Sequence, residues 1–319
     1  MAERSKLIMM YDADKVKLAN EETLKLYNKY KMDMELRELS PTTIAAYESD
    51  LHQWFTYIYD NQGNQSITEL TEDDLTEFFY YCKKNGNNSR RIKRRMSSIS
   101  ALYNYLMKKR LIKENPMMFI DRPKKDIDVT TQTFLSKEQV ELMEQKLQEY
   151  TDSHNGNPQL QTYALFSLST MARVTAISNI QWKQIDYENR VCNDVLEKEG
   201  KIVTLYFSLK VASLLKNLKQ YRLDNNIDDG GYVFITTVGT KADAGILFEW
   251  CKKIGKMIDV PTLHPHDFRH SGSQLLKLAG CPIEQISELL SHSGLDVTKK
   301  FYLRPDQKKI REMKDKYEI

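Results

Sequence analysis

Apolar residues recur at helical spacing along most of the chain, which predicts a mainly helical protein. The first clear helix begins at Ser40 and Pro41, whose types suit a helix cap and the first helical position. A second helix is expected near Thr71, where acidic residues fill the first turn, and a third over about residues 89–110. The charged residues 1–37 favour a helical extension.

One stretch differs from this helical pattern. Residues 190–208 are rich in β-favouring types, and Glu199 with Gly200 predicts a turn within them. Helical patterns resume at about residues 209–222 and again from Ala242 onward. The second half of the chain is therefore expected to combine helices with one small antiparallel sheet.

The predicted helical region ends at Asn115 and Pro116, and a basic segment with Pro123 follows, which has the composition of an exposed linker. A chain of 319 residues is long enough for two domains. We therefore divide it into an N-terminal extension, residues 1–37, a helical domain, residues 38–125, and a second domain, residues 126–319.

Composition and cysteine spacing narrow the class of protein. The net charge is only +3, so the bulk charge alone does not indicate a nucleic-acid partner. The four cysteines are far apart and form no Cys-x-x-Cys pair, which argues against a zinc ribbon or a disulfide framework. Neither a secretory signal nor a run of ~20 apolar residues is evident. We expect a cytoplasmic protein.

Positive charge is concentrated at the start of the third helix, and no acidic residue occurs between Asn88 and Lys113. Cations at a helix N-terminus oppose the helix dipole, so local stability does not explain them. A phosphate-bearing polymer would explain them, although a solvated basic face is the alternative. The candidate DNA-binding residues are Arg90, Arg91, Lys93, Arg94 and Arg95.

Histidines cluster near the C-terminus. Pro265 suits a helix start, and His266, Arg269 and His270 would then share one helix face. A metal site formed by His264, His266 and His270 is disfavoured, because Arg269 would repel a cation and no paired carboxylate or thiol is evident.

Two residues further along have ordinary interpretations when each is taken singly. His292 precedes Gly294 and suits a helix C-cap. Tyr302 is one of 18 tyrosines and suits a hydrophobic core.

Together these segments resemble the tyrosine recombinase family, which includes phage integrases, Xer resolvases and Cre-like enzymes. The His-x-x-Arg signature matches His266 to Arg269, a Leu-Gly-His-like box matches Leu290-Ser291-His292, and Tyr302 follows about ten residues on. An upstream Gly-x-Arg box matches Met171-Ala172-Arg173, and the stretch from Ser40 resembles the start of the family's core-binding domain.

The resemblance implies a fold and a reaction. The fold is a helical SAM-like core-binding domain followed by an α+β catalytic domain, the DNA breaking–rejoining fold. Tyr302 would attack a DNA phosphodiester and form a 3′-phosphotyrosyl intermediate, while Arg173 and Arg269 would bind the non-bridging oxygens.

The remaining roles also follow from the resemblance. His266 would exchange a proton with the tyrosine, and His292 would donate a hydrogen bond to the phosphate. Lys198, or alternatively Lys201, would protonate the departing 5′ oxygen. The family implies no cofactor and no metal, double-stranded DNA as partner, and a homotetramer on DNA through exchange of C-terminal tails.

Three positions depart from the family pattern. Ala176 replaces the acid that usually follows the first arginine by three residues, Ser291 replaces a glycine, and Met171 stands where glycine is common.

The leading prediction is a catalytically active, site-specific recombinase that is used for integration, excision or resolution. A DNA-binding regulator of the same fold with weak or no cleavage, resembling a phage repressor, is the alternative. A relaxing enzyme of the type IB topoisomerase kind is a third interpretation.

Overall fold

The structure is a computed structural model that describes residues 11–124, 134–197 and 200–290. The chain divides into two compact units, Met1–Thr130 and Thr131–Ile319, a few residues beyond the boundary expected from the linker composition. Among the described residues, no helix is long and apolar enough to cross a membrane.

The first unit is helical throughout the part that the structure describes. Ser40 caps the third helix with Pro41 in its first turn, and Thr71 and Asp74 form a capping box at the fourth, as their residue types predict. Its helices are α1 (Ala13–Lys17), α2 (Glu21–Leu36), α3 (Pro41–Asn61), α4 (Glu72–Lys84) and α5 (Ser89–Lys108), followed by a 3-10 turn at Pro116–Phe119.

Helix α2 belongs to the core of this unit, although the sequence suggested a separate extension. Tyr30 and Met34 are fully buried and share one apolar cluster with Trp54 of α3 and Leu102 of α5. The hydroxyl of Tyr103 on α5 adds a buried hydrogen bond of 2.9 Å to the carbonyl of Ile67. With Phe78 of α4 in the same cluster, four helices contribute large side chains to one core.

A buried ionic cluster joins α3, α4 and α5. The Arg95 guanidinium is 0% exposed and donates to Gln53 Oε1 and, at 2.8 Å, to Cys82 Sγ. The buried Asp50 carboxylate accepts from Arg94 Nη2 at 2.6 Å and from Ser98 Oγ at 2.9 Å. The expectation that Arg95 contacts DNA is therefore wrong, because its guanidinium is completely buried and bonds side chains within this unit.

The second unit combines helices with one small antiparallel sheet, as the sequence predicted. The strand order is β1-β2-β3, and β1 lies before the predicted β-favouring stretch. Cys192 pairs with Leu205 and Val195 with Val203, and these four side chains face the core. The elements are α6 (Lys137–Ser153), α7 (Gln159–Thr170), α8 (Val174–Ser178), a 3-10 turn (Trp182–Gln184), β1 (Ile185–Asp186), β2 (Val191–Leu196), β3 (Ile202–Tyr206), α9 (Leu209–Asp224), α10 (Ala244–Met257), α11 (Pro265–Leu278) and α12 (Ile283–Leu289).

Helix α7 lies at the centre of this unit, and most of its side chains are buried. Tyr163 packs edge-on against Phe234, Trp250 and Phe268, so it contacts aromatic residues from three other segments. Helix α11 approaches α7 closely at Gly272, where an added Cβ would lie 2.4 Å from the carbonyl oxygen of Leu168. A glycine is needed at this position because the opposing atom belongs to the backbone.

We expect Gly272→Ala to destabilise the protein by about 1–3 kcal/mol, because the new methyl group must displace helix α7. Gly245→Ala is the matched control, since Gly245 also lies in a helix. A Cβ added there would lie 3.2 Å from Oδ1 of Asp243, which is a side-chain atom and not backbone. The control should stay within about 1 kcal/mol of wild type. Urea unfolding measures both, and equal midpoints for the two variants would contradict the close helix contact.

Candidate active site

The first candidate arginine lies just after α7. The chain leaves that helix through Met171, which has φ 54°, in the left-handed region that favours glycine. Arg173 then occupies the N-cap position of α8. The glycine expected at position 171 is replaced by a methionine whose side chain is buried against Ile286 and Leu290. That apolar contact offsets the conformational cost of a non-glycine residue there.

Arg173 is partly exposed and forms an ion pair with Glu197. The Arg173 side chain is 29% exposed, whereas the Glu197 side chain is 3% exposed. The contact joins Nη1 of the arginine to Oε2 of the glutamate. Glu197 follows β2 directly, and its backbone N–H donates to the carbonyl of Lys201 at 2.7 Å. The ion pair therefore links the start of α8 to the connection between β2 and β3.

The second candidate arginine, Arg269, is 2% exposed. Its Nη1 donates to the carbonyl of Met171 at 2.7 Å, and its Nη2 donates to the carbonyl of Leu290 at 2.6 Å. Met171 lies two residues before Arg173, and Leu290 lies two residues before His292. The Arg269 guanidinium thus connects the backbone just before Arg173 to the backbone just before His292.

His266 lies in the first turn of α11. His264 caps this helix by accepting the His266 backbone N–H on Nδ1 at 3.2 Å, and the Asp267 carboxylate accepts the His264 backbone N–H at 2.8 Å. The His264 and His266 rings stack, with centroids 5.8 Å apart and an interplanar angle of 7°. The capping box therefore fixes the start of the helix that carries both His266 and Arg269.

Desolvation and neighbouring positive charge lower the pKa values of His266 and His270. Although His266 as a residue is exposed, desolvation of its ring lowers its pKa below 6.5, and the charges of His264, Arg269 and Arg173 lower it further. Desolvation is also the main cause that lowers the pKa of His270 to about 4. The effect of Arg173 and Arg269 on His266 indicates that these three candidates share one electrostatic environment.

Most of the remaining candidate residues lie outside the described part of the chain, and the candidate lysine is either Lys198 or Lys201. Lys198, His292 and Tyr302 lie outside the described residues, and so does Ser291. Lys201, the alternative to Lys198, is exposed after the turn at Gly200. Within the described part of the chain, no group of three or more His, Cys, Asp or Glu side chains is arranged to hold a metal ion.

Sequence reasoning missed Glu197. The expected acid at position 176 is Ala176, which is fully buried in the apolar core of the second unit. One signal was present, since the alternation of β2 places Val195 inward, Leu196 outward and the next side chain inward. A carboxylate at an inward position requires a charged or hydrogen-bonding partner, and Arg173 supplies it.

The candidate DNA-binding residues of α5 divide by exposure. Arg90 and Arg94 are exposed, while Arg91 and Lys93 are half-buried. Sequence reasoning did not connect Arg122 with this helix, but its Nη1 donates to Ser97 Oγ at 3.3 Å. Helical spacing puts Ser97 on the face of α5 opposite the buried stripe, so Arg122 extends this basic face.

Comparison with protein families gives two matches. The model for the phage integrase family matches residues 133–309, and the model for the phage integrase N-terminal SAM-like domain matches residues 28–110. The chain is 28% identical over 296 residues to the tyrosine recombinase XerC of Leptospira interrogans, with 92% of each chain covered. It is 25% identical over 314 residues to XerC of Pediococcus pentosaceus, covering 93% of this chain and 97% of the relative.

Solved structures share the fold at low sequence identity. The Tn1549 transposon integrase in complex with circular intermediate DNA has a TM-score of 0.69 and 18% identity, over 92% of this chain and 99% of that one. A lambda integrase tetramer bound to a Holliday junction has a TM-score of 0.67 and 12% identity, over 93% and 83%. The predicted fold class and family are confirmed. Because the integrase model spans more than half of the 319 residues, this chain belongs to the phage integrase family of tyrosine recombinases, which break and rejoin DNA.

Proposed function

We propose that this chain exchanges DNA strands at specific sites, with Tyr302 as the nucleophile and Arg173, Arg269, His266 and His292 around the scissile phosphate. The observation that carries the proposal is the buried Arg269 guanidinium, which bonds the carbonyls of Met171 and Leu290. These bonds hold the segments leading to Arg173 and to His292 beside the helix that carries His266. The site needs such convergence, because its residues are scattered over the second half of the sequence.

The chemistry follows from these residue types. The Tyr302 phenolate attacks the phosphorus, a 3′-phosphotyrosyl bond forms, and the bond to the 5′ oxygen breaks. That oxygen takes a proton from Lys198 or Lys201, and the 5′ hydroxyl of a partner strand later reverses the step. The phosphate ester energy is kept in the protein–DNA bond, so no nucleotide is consumed. Arg173, which is partly exposed, supplies the planar donor fork that suits a phosphate.

Assembly and DNA contact complete the proposal. The basic face of α5, extended by Arg122, would bind the phosphates of double-stranded DNA. Like the lambda integrase that was solved as a tetramer on a Holliday junction, this chain would act as a homotetramer on paired sites in the cytoplasm. The basic C-terminal tail, beyond the described residues, would contact a neighbouring subunit.

Covalent capture of DNA tests the nucleophile. Wild type and Tyr302→Phe are pulled down from host cells under denaturing washes, and the attached DNA is sequenced. DNA should survive with wild type only, because only a phosphotyrosyl bond resists denaturation. A native pull-down provides the loading control for each variant. Specific sites in the native sample, with nothing retained after denaturation in either protein, would indicate a DNA-binding regulator instead.

The lowered pKa of His266 predicts a pH dependence. The imidazole is neutral at pH 7 and can accept the Tyr302 proton, and it loses this ability as pH falls through its pKa, which lies below 6.5. Single-turnover cleavage by wild type should therefore fall about tenfold per pH unit at the acid end. His266→Gln should be slower at pH 7 and lack this acid limb. Identical pH profiles for both proteins, with DNA binding checked at each pH, would exclude the role.

Salt dependence tests the basic face. Arg90→Gln with Lys93→Gln should weaken binding to specific and nonspecific DNA alike, and it should lower the slope of log K against log salt by about 2. Arg94 is left intact because it bonds the buried Asp50 carboxylate, so its loss would disturb the fold. Lys25→Gln with Lys29→Gln, on exposed positions of α2, removes the same charge as a control. Equal slopes for the two double variants would show that α5 does not contact phosphate.

A further inference from the structure

Arg173 forms an ion pair with Glu197, whereas the family pattern has its acid at position 176. The expected acid would come from α8 itself, three residues after the arginine, but Ala176 is 0% exposed and packs in the apolar core with Ile177 and Ile180. A carboxylate at position 176 would therefore be buried among apolar side chains. Glu197, which follows β2 directly, forms the ion pair with this arginine instead.

Because the Glu197 side chain is buried, its ion pair with Arg173 is a stable contact. The Glu197 side chain is 3% exposed, and a carboxylate without water requires a charged or hydrogen-bonding partner. Arg173 provides that partner through Nη1, while 29% of its own side chain remains exposed. The guanidinium is planar, so fixing one terminal nitrogen also restricts the orientation of the remaining N–H donors.

The same glutamate organises the connection that carries the candidate general acid. The Glu197 backbone N–H donates to the carbonyl of Lys201 at 2.7 Å, which joins the residue after β2 to the residue before β3. Lys198 follows Glu197 directly in the sequence, and Lys201 is the other candidate lysine. Whichever lysine protonates the 5′ oxygen, Glu197 therefore ties its segment to the arginine that would bind the same phosphate.

We propose that Glu197 is a positioning residue for strand cleavage, which orients Arg173 toward the scissile phosphate and holds the lysine-bearing turn beside it. It replaces the acid that the family pattern places at position 176. The inference rests on the proposed recombinase function and adds a residue that the motifs of this chain do not include. Glu197 acts through Arg173 and does not contact the DNA.

Single-turnover cleavage of a nicked DNA substrate tests the role, with the target site identified by the capture experiment. Glu197→Gln keeps the size of the side chain and removes its charge. Cleavage of bound DNA should slow by about 10- to 100-fold, because a displaced phosphate ligand costs that much in rate. DNA affinity should change less than about threefold, since the basic face of the first unit provides most phosphate contacts. Glu188→Gln, an exposed acid in the same sheet region, is the matched control and should behave as wild type.

A double-mutant cycle separates positioning from a general loss of structure. In an Arg173→Lys background, Glu197→Gln should cost much less than its effect in wild type, because the arginine through which it acts has already been removed. Melting curves and circular dichroism define a temperature at which all variants are folded, and rates are compared there. Additive losses would mean that Glu197 does not act through Arg173, which would overturn the proposal.

The remaining outcomes are equally decisive. If Glu197→Gln cleaves as fast as wild type, the positioning role is wrong while the recombinase function stands. Faster cleavage would mean that Glu197 shields Arg173 from the phosphate, which also overturns the proposal. Absence of covalent DNA with wild type itself would overturn the recombinase function, so the two failures are distinguishable.

Discussion

The second unit depends on the buried guanidinium of Arg269. Its two terminal nitrogens donate to the carbonyls of Met171 and Leu290, and the carbonyls come from segments more than a hundred residues apart in the sequence. A buried cation without these acceptors would be strongly unfavourable, by about 3–5 kcal/mol when one partner is removed. The helix α11, the turn before α8 and the end of α12 are therefore held together by one side chain, which needs all of them in place.

Arginines act in this way three times in the described chain. Arg95 connects α5 to α3 and α4. Arg222 is 4% exposed and donates to the carbonyl of Tyr232 at 2.7 Å and to Oε1 of Gln159 at 2.6 Å. Each guanidinium offers several donors in one plane, so a single side chain satisfies acceptors from separate segments. In this protein the fold and the proposed chemistry use the same residue type. Arg95 and Arg222 are almost fully buried and serve the fold, Arg173 is partly exposed, and the buried Arg269 belongs to both the fold and the proposed site.

Local signals explain which features the sequence predicted. Helices α3 and α4 carry their caps in the sequence, and the β-favouring run between residues 190 and 208 formed the expected strands. Arg95 was assigned to the surface because it lies in a basic run, yet it is three residues from Ile92 and four from Ile99, on the buried stripe. The role of α2 in the core was hidden by its charges. The pairing of Arg173 with Glu197 joins residues 24 apart, and no local pattern predicts such a contact.

The methionine at position 171 shows how a departure from a family pattern is accommodated. Its left-handed φ of 54° costs a non-glycine residue about 1–2 kcal/mol. The side chain offsets this by packing with Ile286 and Leu290, so the turn before Arg173 is attached to α12 by apolar contact as well as through Arg269. A glycine there would relieve the backbone and lose the contact. Both departures therefore involve a neighbouring segment: packing against α12 offsets the cost of the methionine at position 171, and at position 176 the proposed substitute for the missing acid is Glu197, just after β2.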